Sequence, residues 1–326
     1  MRRLPTVTDV ADAAGVSRQT VSNVLNTPGI VREETRERVL DAVQRLGYRP
    51  HASARRLRTR VSSTLGVRLD PGTDGMAGSL LDRFLHALVE QADAAGLRVL
   101  LYTAEDEAGE IAAFERLLDG ADVDAFVLTS THYGDTRIPW LIEHDVRFVT
   151  FGRPWGERAS TDRSHRWVDV DGREGVRAAT DRLLERGARR VAFLGWPAGS
   201  GTGDDRREGW RAAMRAAGVA ETDLVALDLA VEEDPHDLGV GGRALAALSP
   251  APEAVVCASD SLALGTRLAL GPDVPVVGYD DTPVARALGF PSVAQPLDGV
   301  AAAVLELLRV DDGPHHRLLA PRLVER

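Results

Sequence analysis

The chain contains no lysine: all 39 of its basic residues are arginine. That absence removes a Schiff base, a lysine general base and the lysine of a phosphate-binding loop from consideration. It has a single cysteine, Cys257, which excludes an internal disulfide and a thiolate metal cluster. Set in the apolar run Ala254-Val255-Val256-Cys257-Ala258, it reads as an inert core thiol. No stretch nears the roughly 18 apolar residues of a membrane span. The basic start, MRRLPTVTDV, lacks the apolar core of an export signal, so a cytoplasmic chain with no membrane partner is expected. The eight histidines are scattered without metal-ligand spacing. No nucleophile, base and orienting group assemble either, so neither an enzyme nor a cofactor or metal is expected.

What is present is a soluble-protein composition, 44% hydrophobic and 27% charged over 326 residues, enough for two or three cores. The net charge of −10 alone argues against nucleic acid, but its distribution reverses that reading. Residues 1–60 hold twelve arginines against six acidic residues, a charge of +6, which leaves −16 for the remainder. A basic head on an acidic body is the asymmetry of a chain in which one module meets phosphate.

Within the head, Thr6 or Thr8 can cap a helix carrying Val10, Ala13 and Ala14, and Gly15 can end it. Ser17 can cap a second helix running to about Leu25, with Val21, Val24 and Leu25 on one face and Arg18, Gln19, Ser22 and Asn23 on the other. Two short helices around a glycine turn, the second displaying Arg, Gln and Asn, form a helix-turn-helix. Arg18 suits guanine, and Gln19 or Asn23 suits adenine, in bidentate pairs. A third helix is expected over Val31–Leu46, with Val39, Leu40, Val43 and Leu46 as its apolar stripe, ending at Gly47. After Tyr48-Arg49-Pro50, the run HASARRLRTR surrounds Leu57 with arginines. Such a segment either folds on DNA, Leu57 wedging a base step, or is a charged linker.

The strings Thr8-Asp9-Val10-Ala11, Ala14-Gly15-Val16-Ser17, Thr20-Val21-Ser22-Asn23-Val24-Leu25-Asn26 and Leu46-Gly47-Tyr48-Arg49-Pro50 resemble the head of the lactose-repressor (LacI/GalR) family. The resemblance continues to near the C-terminus. It implies a headpiece over residues 1–48, a hinge helix over 49–60 formed on operator DNA, and a homodimer reading a near-palindrome. The DNA-contacting set it implies is Thr6, Ser17, Arg18, Gln19, Thr20, Ser22, Asn23 and Asn26, with Arg55, Arg56 and Leu57 in the hinge. Asn23 stands where the family usually has Arg, so the operator code cannot simply be transferred. Arg32 replaces the usual Ser cap of the third helix.

From residue 61, strand-like and helical runs alternate: Thr64–Leu69, Leu80–Ala95, Arg98–Tyr102, Glu110–Leu118, Ala125–Thr129, Pro139–Glu143 and Phe148–Phe151, then a second set from Trp167. Alternation of this kind means doubly wound parallel sheets, here two lobes with a cleft at the strands' carboxyl ends. The lobes are expected at about 61–166 plus 295–317 and 167–294 plus 318–326. Arg153, Asp171, Trp196, Arg206, Ser259 and Asp280 follow strand ends and are the expected effector set. Asp171, Arg206, Ser259 and Asp280 also match positions of the family's effector contacts, Ser259 replacing a more usual Asn. Asp171 has a second reading as a helix cap. Trp140 and Trp210 read as core, and Trp155, Trp167 and Trp196 as ligand candidates.

The run Gly199-Ser200-Gly201-Thr202-Gly203 lacks dinucleotide spacing and reads as a cleft loop. The Gly-Arg-Pro-Trp and Trp-Val-Asp-Val-Asp-Gly strings resemble sugar-responsive, glucoside-type regulators. The expected fold is therefore an all-α headpiece plus an α/β body like that of periplasmic binding proteins. The expected function is a repressor released from its operator by a small sugar. The alternatives are an activator or co-repressor-dependent regulator with a non-sugar effector, and a stand-alone sugar-binding protein, which the headpiece disfavours.

Overall fold

The computed structural model describes residues 5–26, 28–48, 62–69, 76–156, 165–232, 237–309 and 315–326. It divides into two compact units, Met1–Ser62 and Ser63–Arg326. The expected hinge residues Arg55, Arg56 and Leu57 lie outside the described residues, as does the side chain of Asn26.

Among its described residues the first unit has three α-helices, α1 (Val7–Ala14), α2 (Arg18–Asn26) and α3 (Glu33–Leu46), with a short 3-10 turn at Pro28–Ile30. Thr6, not Thr8, caps α1 in a capping box. The Asp9 amide donates to Thr6 Oγ1 (3.4 Å) and the Thr6 amide to the Asp9 carboxylate (2.6 Å). Gly15 takes φ 64°, and Val16 N–H donates to the Ala11 carbonyl at 3.0 Å, which closes the helix and sets the tight turn. Val10, Ala11, Ala14, Val21, Val24, Val39 and Ala42 form the core. The expected stripe of α3 is partly corrected: Leu40 is 46% exposed and Leu46 39%, whereas Ala42 is buried. At about 100° per residue, Leu40 falls off the Val39–Ala42–Val43 face. Arg32 gives α3 no side-chain cap.

The described residues of the second unit form two six-stranded sheets. The first comprises β1 (Thr64–Arg68), β2 (Arg98–Tyr102), β3 (Ala125–Leu128), β4 (Phe148–Phe151), β5 (Arg166–Val170) and β11 (His316–Leu319), in the order β11-β5-β4-β3-β1-β2. Every pair in it is parallel. The second comprises β6 (Val191–Gly195), β7 (Asp228–Ala230), β8 (Ala254–Cys257), β9 (Val276–Tyr279), β10 (Ser292–Ala294) and β12 (Arg322–Val324), in the order β12-β10-β9-β8-β6-β7. Its edge strand β12 alone runs antiparallel to its neighbour. The central strands β3 and β8 are buried at every position, as sheets covered on both faces require.

In the first lobe α4 (Met76–Ala94) and α13 (Leu297–Arg309) cover one face, burying Phe84, Leu88, Val300 and Val304 against Val67, Val149 and Val168. Aromatic residues Tyr102, Phe114, Phe126 and Phe148 form a second core with α5 (Glu107–Asp119) and α6 (Arg137–Glu143). In the second lobe the helices are α7 (Gly172–Glu185), α8 (Thr202–Ala216), α9 (Glu221–Leu227), α10 (Val240–Ala246), α11 (Asp260–Leu270) and α12 (Pro283–Leu288). Their core gathers Phe193, Trp210, Met214, Val255, Tyr279 and Phe290, with Cys257 fully buried among them.

The expected lobe boundary at 166/167 is corrected. The strand β5 belongs to the first sheet, paired with β4 and β11, and Val168 and Val170 lie in the first lobe's core. Leu318 and Leu319 likewise stay in the first sheet. The chain therefore crosses between lobes after Val170, after Ala294 and after Leu319. Among the described residues no helix is long and apolar enough to cross a membrane.

Candidate nucleic-acid interface and ligand cleft

The α2 helix starts on Ser17, whose Oγ accepts from the Thr20 amide (3.1 Å) and lies 2.9 Å from Thr20 Oγ1. These two hydroxyls fix the helix start, as Thr6 does for α1. Arg18 and Gln19 are exposed beyond it, and Ser22 and Asn23 are half-buried. Gln19 Nε2 donates to Asn23 Oδ1 at 3.0 Å, one turn along the same face. A base edge contacted by either amide competes with that bond. Arg18 has no ion-pair partner among the described residues.

In the second unit, strand ends from both lobes converge on a cavity of about 260 Å³. The first lobe contributes Phe151, Gly152 and Asp169 from β4 and β5, Thr131 and Trp155 from loops, and Leu80 and Leu81 from α4. The second contributes Trp196 after β6, Arg206 and Asp205 from α8, Ser259 after β8, Asp280 after β9 and Gln295 after β10.

Its polar centre is a buried cluster. Gln295 Nε2 donates to Asp280 Oδ1 at 2.7 Å, and Arg206 Nη2 lies 3.8 Å from the same oxygen. Arg206 Nη1 donates to the Ala258 carbonyl (2.5 Å), and its guanidinium sits 3.6 Å over the Tyr279 ring. Arg206 Nε is buried without a hydrogen-bond partner among the described residues. Burial pushes the Asp280 carboxyl up from its ordinary value, against the pull of Arg206 and Gln295. Asp280 also has φ 104° and Asp281 φ 49°, a turn that presents the Asp280 side chain at the end of β9.

The two indoles are set by glycines. A Cβ on Gly201, itself at φ 65°, would come within 2.7 Å of the Trp155 ring, and one on Gly203 within 2.9 Å of Trp196. The glycine run is thus a close-fitting start to α8. Trp155 Nε1 donates to Thr131 Oγ1 at 3.2 Å.

Of the expected effector set, Trp196, Arg206, Ser259 and Asp280 meet at this cavity. Ser259 Oγ also caps α11, accepting from the Leu262 amide at 3.2 Å. Asp171 and Arg153 do not line it. Asp171 caps α7, its Oδ1 accepting from the Glu174 amide at 3.0 Å, so the capping reading holds there. Arg153 is drawn aside by two carboxylates, Asp169 (2.5 Å) and Asp205 (3.4 Å). Burial lowers its proton affinity, but those carboxylates outweigh this and hold it above the usual arginine value. It lines an adjoining cavity instead. Asp205, Gln295 and Thr131 were not picked out from the sequence. The one signal for Gln295 is its place directly after a strand of three residues, too short to mark by pattern. Trp210 is core, its Nε1 donating to the Val191 carbonyl at 3.0 Å, as expected.

Glu107, His132 and Asp135 bring possible ligand atoms within 4.8 Å of one another. Arg137 already holds Asp135 at 2.6 and 2.9 Å, and Thr136 holds Glu107.

Residues 6–51 match the family described as bacterial regulatory proteins, lacI family, and residues 180–326 match a periplasmic binding protein-like domain. The chain is 35% identical over 329 residues to the HTH-type transcriptional regulator CelR of Thermobifida fusca, covering 94% of this chain and 92% of that protein. A solved CelR–cellobiose complex is 29% identical with a TM-score of 0.70, covering 98% of each chain. The Lac repressor dimer bound to operator and the anti-inducer ONPF superposes with a TM-score of 0.83 at 22% identity, over 99% of this chain and 98% of that one, a likeness of fold. With its capped helix-turn-helix, its paired six-stranded lobes and a relative at this level of identity over nearly its whole length, the chain belongs to the lacI family of bacterial regulatory proteins and is a DNA-binding transcriptional regulator.

Proposed function

We propose that this regulator takes a small glucoside-type sugar in the interlobe cleft and that the sugar releases it, as a homodimer, from a near-palindromic operator. The observation that carries this reading is the make-up of the cleft: two indoles, Trp155 and Trp196, flank a buried Arg206–Asp280–Gln295 cluster in a cavity of about 260 Å³. Indole faces stack on the C–H faces of a pyranose, while charged and amide groups take pairs of hydroxyls. The cellobiose complex of a related regulator supports the same ligand class. In this reading the effector set is Trp196, Arg206, Ser259 and Asp280, with Trp155, Asp169 and Gln295 added.

On DNA, Arg18 reads guanine and Gln19 or Asn23 reads adenine in the major groove. Arg55 and Arg56 hold phosphates, and Leu57 wedges the minor groove within a hinge over residues 49–60. The headpiece then spans 1–48. The protein acts in the cytoplasm by binding and does no chemistry on its ligand.

The test pairs two measurements on the full-length dimer. A thermal-shift panel of glucose, cellobiose, maltose, galactose, ribose and nucleobases identifies a ligand, since binding to the folded state raises its melting temperature. Fluorescence anisotropy on operator DNA then gives the sign. A sugar that raises the melting temperature and weakens operator binding is the expected result. A shift with nucleobases and with no sugar overturns the ligand class, and tighter operator binding overturns induction.

A further inference from the structure

We propose that two sugar rings fill the inner cavity and a third occupies a second, outer chamber, which makes the effector class an oligosaccharide of three or more rings. This rests on the sugar reading above. The outer chamber has a volume of about 610 Å³ and shares two walls, Trp155 and Asp205, with the inner one. A ligand stacked on Trp155 in the inner cavity therefore has a continuation on the same indole.

The outer chamber is furnished as a carbohydrate site in its own right. Trp167 lines it, is only 5% exposed and stacks on His316 with ring centroids 4.6 Å apart. Its Nε1 is buried without a hydrogen-bond partner among the described residues. That N–H is closed off from the chamber, so Trp167 offers the ligand a ring surface and not a donor. Tyr133 lies 6.4 Å from Trp155, and Arg173 and Glu208 stand at the rim as groups for peripheral hydroxyls. At the divide, Arg153 is bridged by Asp169 and Asp205, so the linkage between rings passes a pair of carboxylates and a guanidinium rather than an apolar barrier.

The experiment is isothermal titration of the full-length protein with two length series: glucose, cellobiose and cellotriose, and maltose and maltotriose. The expected result is about tenfold tighter binding of the trisaccharide than of the disaccharide in one series. Tyr133→Ala removes a ring, 44% exposed, that lines the outer chamber and not the inner one. It should lose most of that tenfold gain while disaccharide affinity and operator binding stay as in the wild type. Arg173→Ala, at a side chain 56% exposed and 3.6 Å from Asp205, should weaken the trisaccharide by a few-fold. Equal affinity for di- and trisaccharide in both series overturns the outer subsite and leaves the sugar reading standing. So does a length gain that survives both substitutions. Absence of binding by every sugar overturns both.

Discussion

Replacing Asp280 by Asn separates what the cleft does for the ligand from what it does for the fold. Asn is the neutral residue that tolerates the φ of 104° at this position. The Gln295 amide can still donate to an Asn oxygen, so the 2.7 Å bond survives. What disappears is charge. Arg206 lies 3.8 Å away, an attraction of roughly 4 kcal/mol at an effective dielectric near 20. Burial opposes it and prevails, because the Asp280 carboxyl is held above its ordinary value.

Arg206 keeps its bond to the Ala258 carbonyl and its seat over Tyr279 when the charge goes. The ligand-free protein should therefore become more stable at pH 7, by about 1 kcal/mol, the usual scale when a functional group's strain is relieved. That corresponds to about 2 °C in melting temperature for a body of this size. Sugar binding should move the other way. Each charge-assisted bond to a hydroxyl that is lost removes about 1.5–3 kcal/mol, a 10- to 150-fold loss of affinity. A raised folded-state pKa means this carboxylate contributes less stability as pH climbs from the ordinary carboxylate range through the raised value. The gap between variant and wild type should thus be widest at neutral pH and close in acid. Urea unfolding at pH 5 and 7, titration calorimetry with cellobiose and operator anisotropy measure all three. A variant that melts several degrees lower at pH 7 refutes the reasoning, because the Arg206–Asp280 pair would then be holding the fold together.

Arg18→Ala should cost about 1–3 kcal/mol in operator affinity and relax preference at one base pair; equal loss on every sequence would assign Arg18 to phosphate. Gly199 and Gly201 both have positive φ, 95° and 65°, but only at Gly201 does an added Cβ strike a ring. Alanine at either should cost about 1–2 kcal/mol of backbone strain, with a further 1–3 kcal/mol or so of overpacking at Gly201 alone; equal melting temperatures would show that Trp155 yields freely. Asp260, pushed up to about 6 by burial against hydrogen bonds from Thr282 and Ser292, should make the protein lose stability as pH rises from about 4 to about 6. Asp260→Asn should flatten that slope in urea unfolding, and an unchanged slope would clear Asp260 of it.

The head was readable because its determinants are local. Caps at Thr6 and Ser17 and stops at Gly15 and Gly47 each act within four residues. The central strands were readable because covered parallel strands are continuous apolar runs. Helix α13 was legible but overlooked: exposed positions of LDGVAAAVLELLR, at 298, 302, 306 and 309, recur at helical spacing against eight buried residues. The misplaced lobe boundary has a different cause: nothing in Trp-Val-Asp-Val says whether β5 pairs with β4 or opens a new sheet. In the cleft, Asp171 and Asp280 look alike in sequence. One local bond, to an amide three residues on, commits Asp171 to a helix, whereas Asp280 takes its surroundings from Arg206 and Gln295. Arg153 lies off the inner cavity because its partners, 16 and 52 residues away, draw it aside.

The cleft is also held by the protein itself. Arg83 of α4 donates to the carbonyls of Asp280 and Asp281 at 3.0 and 3.2 Å, Arg153 reaches Asp205, and Trp155 packs on Gly201. All three contacts join the first lobe to the second at the rim of the cavity. A ligand shifts a conformational equilibrium only by its differential affinity for the two states, so contacts made only with the cleft closed set how much sugar is needed. Arg83 does not line the cavity, which makes it the cleanest place to test this. Arg83→Gln removes two bonds worth about 0.5–1.5 kcal/mol each. If closure is then the minor state, apparent sugar affinity should fall by roughly 5- to 150-fold. The sugar concentration for half-release of operator should rise by the same factor, with operator affinity in the absence of sugar retained. An unchanged sugar affinity would mean that the Arg83 bonds persist when the lobes part and have no influence on the response.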